Sequence, residues 1–110
     1  MYPRRGEVWR VSFTHSTGGE IRKTRPAIII SNDAANAALN RVIIIPMSRQ
    51  VAKVYPGEAL VTLHNKQCKA MANPIMTASK ERLQNKAGML SRSDLLAVES
   101  AVLLQLGIRR

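Results

Sequence analysis

The chain is poor in the residues on which several kinds of chemistry depend. It has one cysteine, Cys68, so no intrachain disulfide can form and nothing marks an oxidising compartment. Its two histidines, His15 and His64, and its two aspartates, Asp33 and Asp94, make no CxxC or HxxxH pattern. A structural zinc site needs four closely placed ligands, so no metal is expected. Neither G-x-x-x-x-G-K-[ST] nor G-x-G-x-x-G occurs, and no nucleotide cofactor is expected. Aromatic residues make up 4%, namely Tyr2, Trp9, Phe13 and Tyr55, too few for a platform stacking many bases. No apolar run approaches the ~20 residues of a membrane span. No N-terminal segment of charge followed by apolar residues predicts export, so the expectation is a cytoplasmic protein.

Acid is the other scarcity. Lys and Arg number 17 against 7 Asp plus Glu, a formal charge of +10. Such an excess predicts a polyanionic partner, nucleic acid or an acidic protein. The length of 110 residues fits one small domain over 1–110. At this size folding hides only about two thirds of the surface, so the core must be dense or shared with a partner. The apolar fraction of 45% excludes a fully disordered chain.

Patterning predicts short strands followed by a helix. In residues 6–13 Trp9, Val11 and Phe13 share one face, with Val8 out of phase; this is a half-buried strand. Residues 14–24 contain Gly18 and Gly19 among polar side chains and read as an exposed loop, ended by Arg25-Pro26. The runs 27–30 and 42–45 (Ala-Ile-Ile-Ile and Val-Ile-Ile-Ile) predict strands buried on both faces, the second ended by Pro46. Ser31 or Asn32 caps a short helix over 33–39. A polar, basic stretch 49–57 closes in a Pro56-Gly57 turn. A fourth strand covers 58–63, and Asn65-Lys66 suits a turn. Residues 68–77 are weakly strand-like around Pro74, with a last short strand at 88–90. Ser91 and Asp94 form a capping box for a helix with a stripe of Leu95, Val98, Val102 and Leu106, ended by Gly107. Leu96, Leu103 and Leu104 lie off that stripe, so the helix needs a surface besides its own barrel to cover it, a partner copy or fuller burial within the monomer. The pattern predicts a mainly β (α+β) fold, a small, strongly bent barrel closed by a C-terminal helix.

Few residues stand out as chemical candidates. Arg25 lies between a Gly-containing loop and a buried strand, where a guanidinium can hold a phosphate bidentately. The two buried runs are each followed by a hydroxyl, Ser31 and Ser48; their position relative to Arg25 is open. Glu20 is a rare acid in the Gly18-Gly19 loop, a candidate base or a mere partner for Arg22 or Lys23. His15 titrates in the right range but stands alone, as does His64. Cys68 reads as an apolar filler. Arg41, Arg49, Lys53, Lys66 and Lys69 fall between the expected strands, and Arg41, Arg49 and Lys53 have no acid among them up to Pro56. A patch there attracts phosphates.

Several segments together resemble the MazF/PemK family of toxin endoribonucleases. They are Arg5-Gly6-Glu7-Val8-Trp9, Gly18-Gly19-Glu20, Arg25-Pro26-Ala27-Ile28-Ile29-Ile30-Ser31-Asn32-Asp33 and Ile45-Pro46-Met47-Ser48. In the tail they are Lys80-Glu81-Arg82-Leu83, Gly88, Leu90-Ser91 and the helix to Leu106-Gly107. The similarity is weakest over 49–77. The resemblance implies a compact SH3-like barrel with a C-terminal helix, forming a homodimer. It also implies metal-independent, ribosome-independent cleavage of single-stranded RNA at a short sequence by the RNA's own 2′-hydroxyl, and an antitoxin whose acidic tail blocks the RNA groove. It implies that Arg25 stabilises the scissile phosphate. Ser48 replaces the usual threonine, and Glu20 is the loop glutamate near the active site. RNA contacts are expected from Gly18, Gly19, Asn32, Arg49, Lys53 and Thr77. One departure is Asn73-Pro74-Ile75-Met76-Thr77, where many relatives carry an acid, a Gln and a basic residue; Asn73 cannot act as a carboxylate base. Two other readings compete: a toxin of the same fold that inhibits DNA gyrase by protein binding, and a plain RNA-binding module.

Overall fold

The computed structural model describes residues 1–13 and 23–109. The elements run β1 (Glu7–Phe13), β2 (Lys23–Ile29), α1 (Asp33–Ala38), β3 (Arg41–Ser48), β4 (Glu58–Leu63), β5 (Lys66–Met71), β6 (Met76–Ser79), one 3-10 turn (Lys80–Arg82), β7 (Leu83–Met89) and α2 (Arg92–Gln105). The strands form a bent antiparallel sheet in the order β4-β5-β3-β2-β1-β7, with β6 also paired to β3. The outcome is the expected mainly β half-barrel with a C-terminal helix.

The β-branched runs lie where their composition demands. Ile28 and Ile45 sit in one core with Val8, Met47, Val61 and Leu90, under Val98 and Ala101 of α2. Ala27, Ile29, Val42 and Ile44 sit in a second core with Val11, against which Trp9 and Phe13 pack. Successive residues of β2 and β3 therefore face opposite cores, which is why neither run alternates with polar residues. Each fully buried Ile contributes on the order of 2 kcal/mol.

The prolines behave differently from the sequence expectation. Arg25-Pro26 does not end a loop and Pro46 does not end a strand: Pro26 lies within β2 opposite Arg10, and β3 continues past Pro46 to Ser48. The reason is a change of partners. On one side β3 pairs with β6 through Ile44 and with β5 from Met47. Pro46 falls between those ladders, where its missing N–H costs nothing.

Other boundaries also shift. The expected strand over 68–77 is two strands, β5 and β6, split by a turn in which Ile75 N donates to Ala72 O at 3.1 Å. The β4–β5 turn is His64-Asn65, both at positive φ (53° and 63°), rather than Asn65-Lys66. Arg41, Lys66 and Lys69 lie in strands, not loops. β7 is longer than 88–90 because Leu83–Met89 pairs along the exposed edge of β1, with two register shifts. A Cβ on Gly88 would stand 2.7 Å from Leu63 Cδ1, so glycine lets the β4–β5 turn close over β7.

The helices follow their caps. Asn32, not Ser31, caps α1. Ser91 Oγ accepts from Asp94 N at 3.1 Å, and Asp94 Oδ2 accepts from Thr62 N of edge strand β4 at 2.9 Å. Gly107 adopts φ +71°, and Ile108 N donates to Leu103 O at 2.9 Å, a Schellman ending. Leu95, Val98 and Val102 face the core, but Leu106 does not: it is the C-cap and is 54% exposed. No helix among the described residues is long and apolar enough to cross a membrane.

Candidate active site

A groove opens where β2 and β3 part. The two strands are paired at Ala27–Pro46, Ile28–Ile45 and Ile29–Ile44. Beyond Pro46, β3 turns to β5, while Arg25 and Pro26 stay with β1. The space between them encloses about 1120 Å³ and is lined by these strand ends, by Arg10 of β1 and by the β4–β5 turn. Two prolines at the branch point, Pro26 and Pro46, remove the donors that would otherwise favour continued pairing.

Four cations line the groove, Arg10, Arg25, Arg49 and Lys66, and no carboxylate does among the described residues. Arg25 is exposed and has no hydrogen-bond or ion-pair partner among the described residues. Ser48 is half-buried, and its Oγ accepts from Gln50 N at 3.1 Å. That bond leaves the hydroxyl hydrogen to be donated elsewhere. His64 lines the same groove. Its Nε2 donates to the Ala87 carbonyl, which can only accept.

The carboxylates of the described residues lie elsewhere, and three of them are held ionised by their partners. Burial raises the Glu7 pKa, but bonds from Arg4 N, Trp9 Nε1 and Lys86 together hold it below the ordinary range. The backbone N–H of Arg5 lowers that of Asp33. The backbone N–H of Tyr55, followed by Lys69, lowers that of Glu58. Among the described residues no group of three or more His, Cys, Asp or Glu could hold a metal ion.

The expected site residues divide into four sets. Arg25, Ser48 and Arg49 come together in the groove. Lys53 is exposed in the segment that follows Arg49, its carbonyl held by Lys69 Nζ at 3.0 Å. Asn32 and Thr77 do not line the groove. Asn32 stands beyond the far end of β2, where its Oδ1 accepts from Ala35 N at 2.8 Å. Thr77 is paired with Ile43 on β6, although its neighbours Met76 and Pro74 reach the lining. Asn73 Oδ1 accepts from Gln105 Nε2 of α2 at 3.4 Å. Glu20, Gly18, Gly19 and His15 lie outside the described residues. The sequence reading missed Arg10, Gln50 and Lys66 as lining residues; the signal for Arg10 was its place between Trp9 and Val11, on the side of the strand opposite their apolar face.

The motif residues at the other end of the sheet build the frame. Arg5 N donates to Asp33 Oδ1 at 2.8 Å, its Nε to Ile30 O at 3.1 Å, and its guanidinium pairs with Glu99 of α2. Asn36 is fully buried and donates to Ser31 O at 2.9 Å and Asp33 Oδ1 at 3.2 Å, while the Ser31 hydroxyl donates to Asn36 Oδ1. This network ties β1, α1 and α2 to the paired end of β2 and β3.

The comparisons with known proteins agree with this architecture. Residues 4–106 match the family described as PemK-like, MazF-like toxin of type II toxin-antitoxin system. Endoribonuclease MazF9 of Mycobacterium tuberculosis is 34% identical over 114 residues, covering 96% of this chain and 97% of that protein. Endoribonuclease MazF of Staphylococcus epidermidis is 30% identical over 112 residues, covering 96% and 92%. Among solved structures, a MazE-MazF crystal structure from Deinococcus radiodurans superposes with a TM-score of 0.83 at 22% identity, covering 99% of each chain. An endoribonuclease in complex with its cognate antitoxin from a mycobacterial species superposes at 0.81 and 21% identity, covering 98% of each.

Proposed function

Because the chain belongs to the family of PemK-like, MazF-like toxins of type II toxin-antitoxin systems, we propose that it is a toxin endoribonuclease that cuts single-stranded RNA in the groove between β2 and β3. The observation that carries this reading is the groove's lining: Arg10, Arg25, Arg49 and Lys66 with Ser48, and no carboxylate among the described residues. RNA brings a dense row of phosphates, and cations on a concave surface hold it. Arg25, with no partner among the described residues, can take a phosphate through two parallel N–H bonds.

In the reaction we assign, the 2′-oxygen of the RNA attacks the adjacent phosphorus. The new 2′-O–P bond forms as the P–O5′ bond breaks. A base takes the 2′-hydroxyl proton, and an acid gives a proton to the departing O5′. The products are a 2′,3′-cyclic phosphate and a 5′-hydroxyl end. Arg25 stabilises the charge that builds on the phosphoryl oxygens, and the Ser48 hydroxyl donates to one of them. Glu20 is the candidate base. The protein's cations supply the charge stabilisation, so no metal is required.

The proposal extends to partners. Leu96 and Leu104 on α2 are 53% and 61% exposed, and Leu106 and Ile108 beyond it 54% and 50%. This apolar surface suits a second copy of the chain, and we propose a homodimer. An acidic-tailed antitoxin would compete for the basic groove. The whole of 1–110 then acts as one barrel domain, in the cytoplasm.

The test is cleavage of a long single-stranded RNA in EDTA, with the ends mapped, beside the same RNA carrying a 2′-deoxy nucleotide at the cut. Discrete cuts with 5′-hydroxyl ends that vanish at the deoxy position are expected. Cuts that persist there would overturn the mechanism. Absent cleavage together with gyrase-dependent DNA breaks would favour the inhibitor reading.

A further inference from the structure

Lys69 is a buried lysine, at 9% exposed. It lies on β5 directly across from Ser48. Its Nζ pairs with Glu58 Oε1 at 3.2 Å and donates to the Lys53 carbonyl at 3.0 Å. The same Glu58 Oε1 accepts from Tyr55 N at 2.8 Å, and the Lys69 ammonium stands 5.7 Å from the Tyr55 ring centroid. These interactions meet on residues 53, 55, 58 and 69. They close a segment, 49–57, that has neither helix nor strand.

The segment carries Arg49 and Lys53. It leaves the groove at Ser48, whose Oγ holds Gln50 N, and returns at the Glu58 start of β4. It is fastened at both ends and has no ladder between them. An ion pair buried at such a place adds little net stability, because desolvation offsets the attraction. A methionine would fill the same space. What methionine lacks is the bond to the Lys53 carbonyl and the hold on Glu58. From this we infer that Lys69, with Glu58, is a positioning residue of the RNA groove, fastening segment 49–57 so that Arg49 and Lys53 stand at its rim. The inference rests on the RNA reading above and deepens it. Lys69 acts through the backbone of the segment, not by touching RNA.

The experiment compares the full chain with Lys69→Met and with Lys69→Met/Glu58→Gln, which leaves no lone charge behind. Hydrogen exchange of the amides between Gln50 and Tyr55 should speed about tenfold in both, with the β1–β3 amides unchanged. Affinity for a non-cleavable 2′-deoxy-substituted single strand should fall about fivefold to tenfold, and its salt slope should become shallower by about 1 to 1.5, the share of two phosphate contacts. In an Arg49→Ala/Lys53→Ala background the added loss should shrink below about twofold, because the cations that Lys69 places are already gone. Lys69→Arg, which keeps the donors, should restore most of the affinity. Unchanged exchange and affinity would overturn the inference, as would an undiminished loss in the Arg49→Ala/Lys53→Ala background. Faster exchange throughout the fold in both variants would overturn it too. If the wild-type chain binds no RNA, the functional reading fails by itself, and the exchange measurement alone judges whether Lys69 fastens the segment.

Discussion

The two ends of the β2–β3 pair use the same residue types to opposite effect. At the paired end Arg5 is bound to Asp33, Ile30 and Glu99, and Ser31 to Asn36. At the splayed end Arg25, Arg10, Arg49 and Lys66 line the groove without such partners among the described residues. The Ser48 hydroxyl accepts from Gln50 N and can still donate. In the proposed function an arginine and a serine are frame at one end and site at the other. The difference is the presence of carboxylates and buried amide partners, not the identity of the side chain. A chain with so few acids can thus be rigid where its acids are and receptive where they are not.

The contrast breaks in different ways at the two ends. Arg25→Ala should lower kcat/KM for RNA by about 10³, roughly 4 kcal/mol, as expected for removing a charge that stabilises the reacting phosphate. Its unfolding free energy from urea denaturation should stay within about 0.5 kcal/mol of wild type, since an exposed side chain without partners among the described residues holds nothing in place. Asn36→Ala should do the reverse: a loss of about 2–3 kcal/mol of stability from orphaned buried groups, with cleavage per folded molecule unchanged. Denaturation and single-turnover cleavage on the same preparations decide both. Ser48→Ala should cost about tenfold in rate, some 1.4 kcal/mol, and little stability.

Acid sharpens the frame side further. Glu7 ionises at a lower pH in the folded chain than in the unfolded one. Its stabilisation is therefore complete above the unfolded value of about 4.3 and is lost as pH falls through the folded value. Glu7→Gln should cost about 1 kcal/mol at neutral pH and should flatten the acid-side fall in stability, read from urea midpoints across that range.

Much of the frame is legible in the sequence. The runs 27–30 and 42–45 announce strands buried on both faces, and Ser91 with Asp94 announces the start of α2. Edge strand β7 is less legible, because three consecutive polar residues, Gln84, Asn85 and Lys86, erase any alternation within it. The prolines mislead for a physical reason. Pro26 reads as a loop end and Pro46 as a strand end, yet β2 runs through Pro26 on β1 where its pairing with β3 stops, and β3 changes partner at Pro46; that parting is what opens the groove. Arg25 and Ser48 can be named from the family resemblance, but their meeting at one groove follows from strand pairing that no local pattern encodes. Lys69 reads as a lysine between strands because its burial depends on Glu58 and Lys53, which are distant in sequence. Asn32 matches a motif and proves to cap α1.

The most direct test is an amide chemical-shift map of the chain titrated with a non-cleavable single-stranded RNA. The account predicts shifts clustered on Arg10, Arg25, Ser48, Arg49 and Lys66, with Arg5, Ser31, Asn36 and Glu99 undisturbed. Shifts centred on Arg5, Ser31 and Asn36, with the groove residues silent, would contradict it.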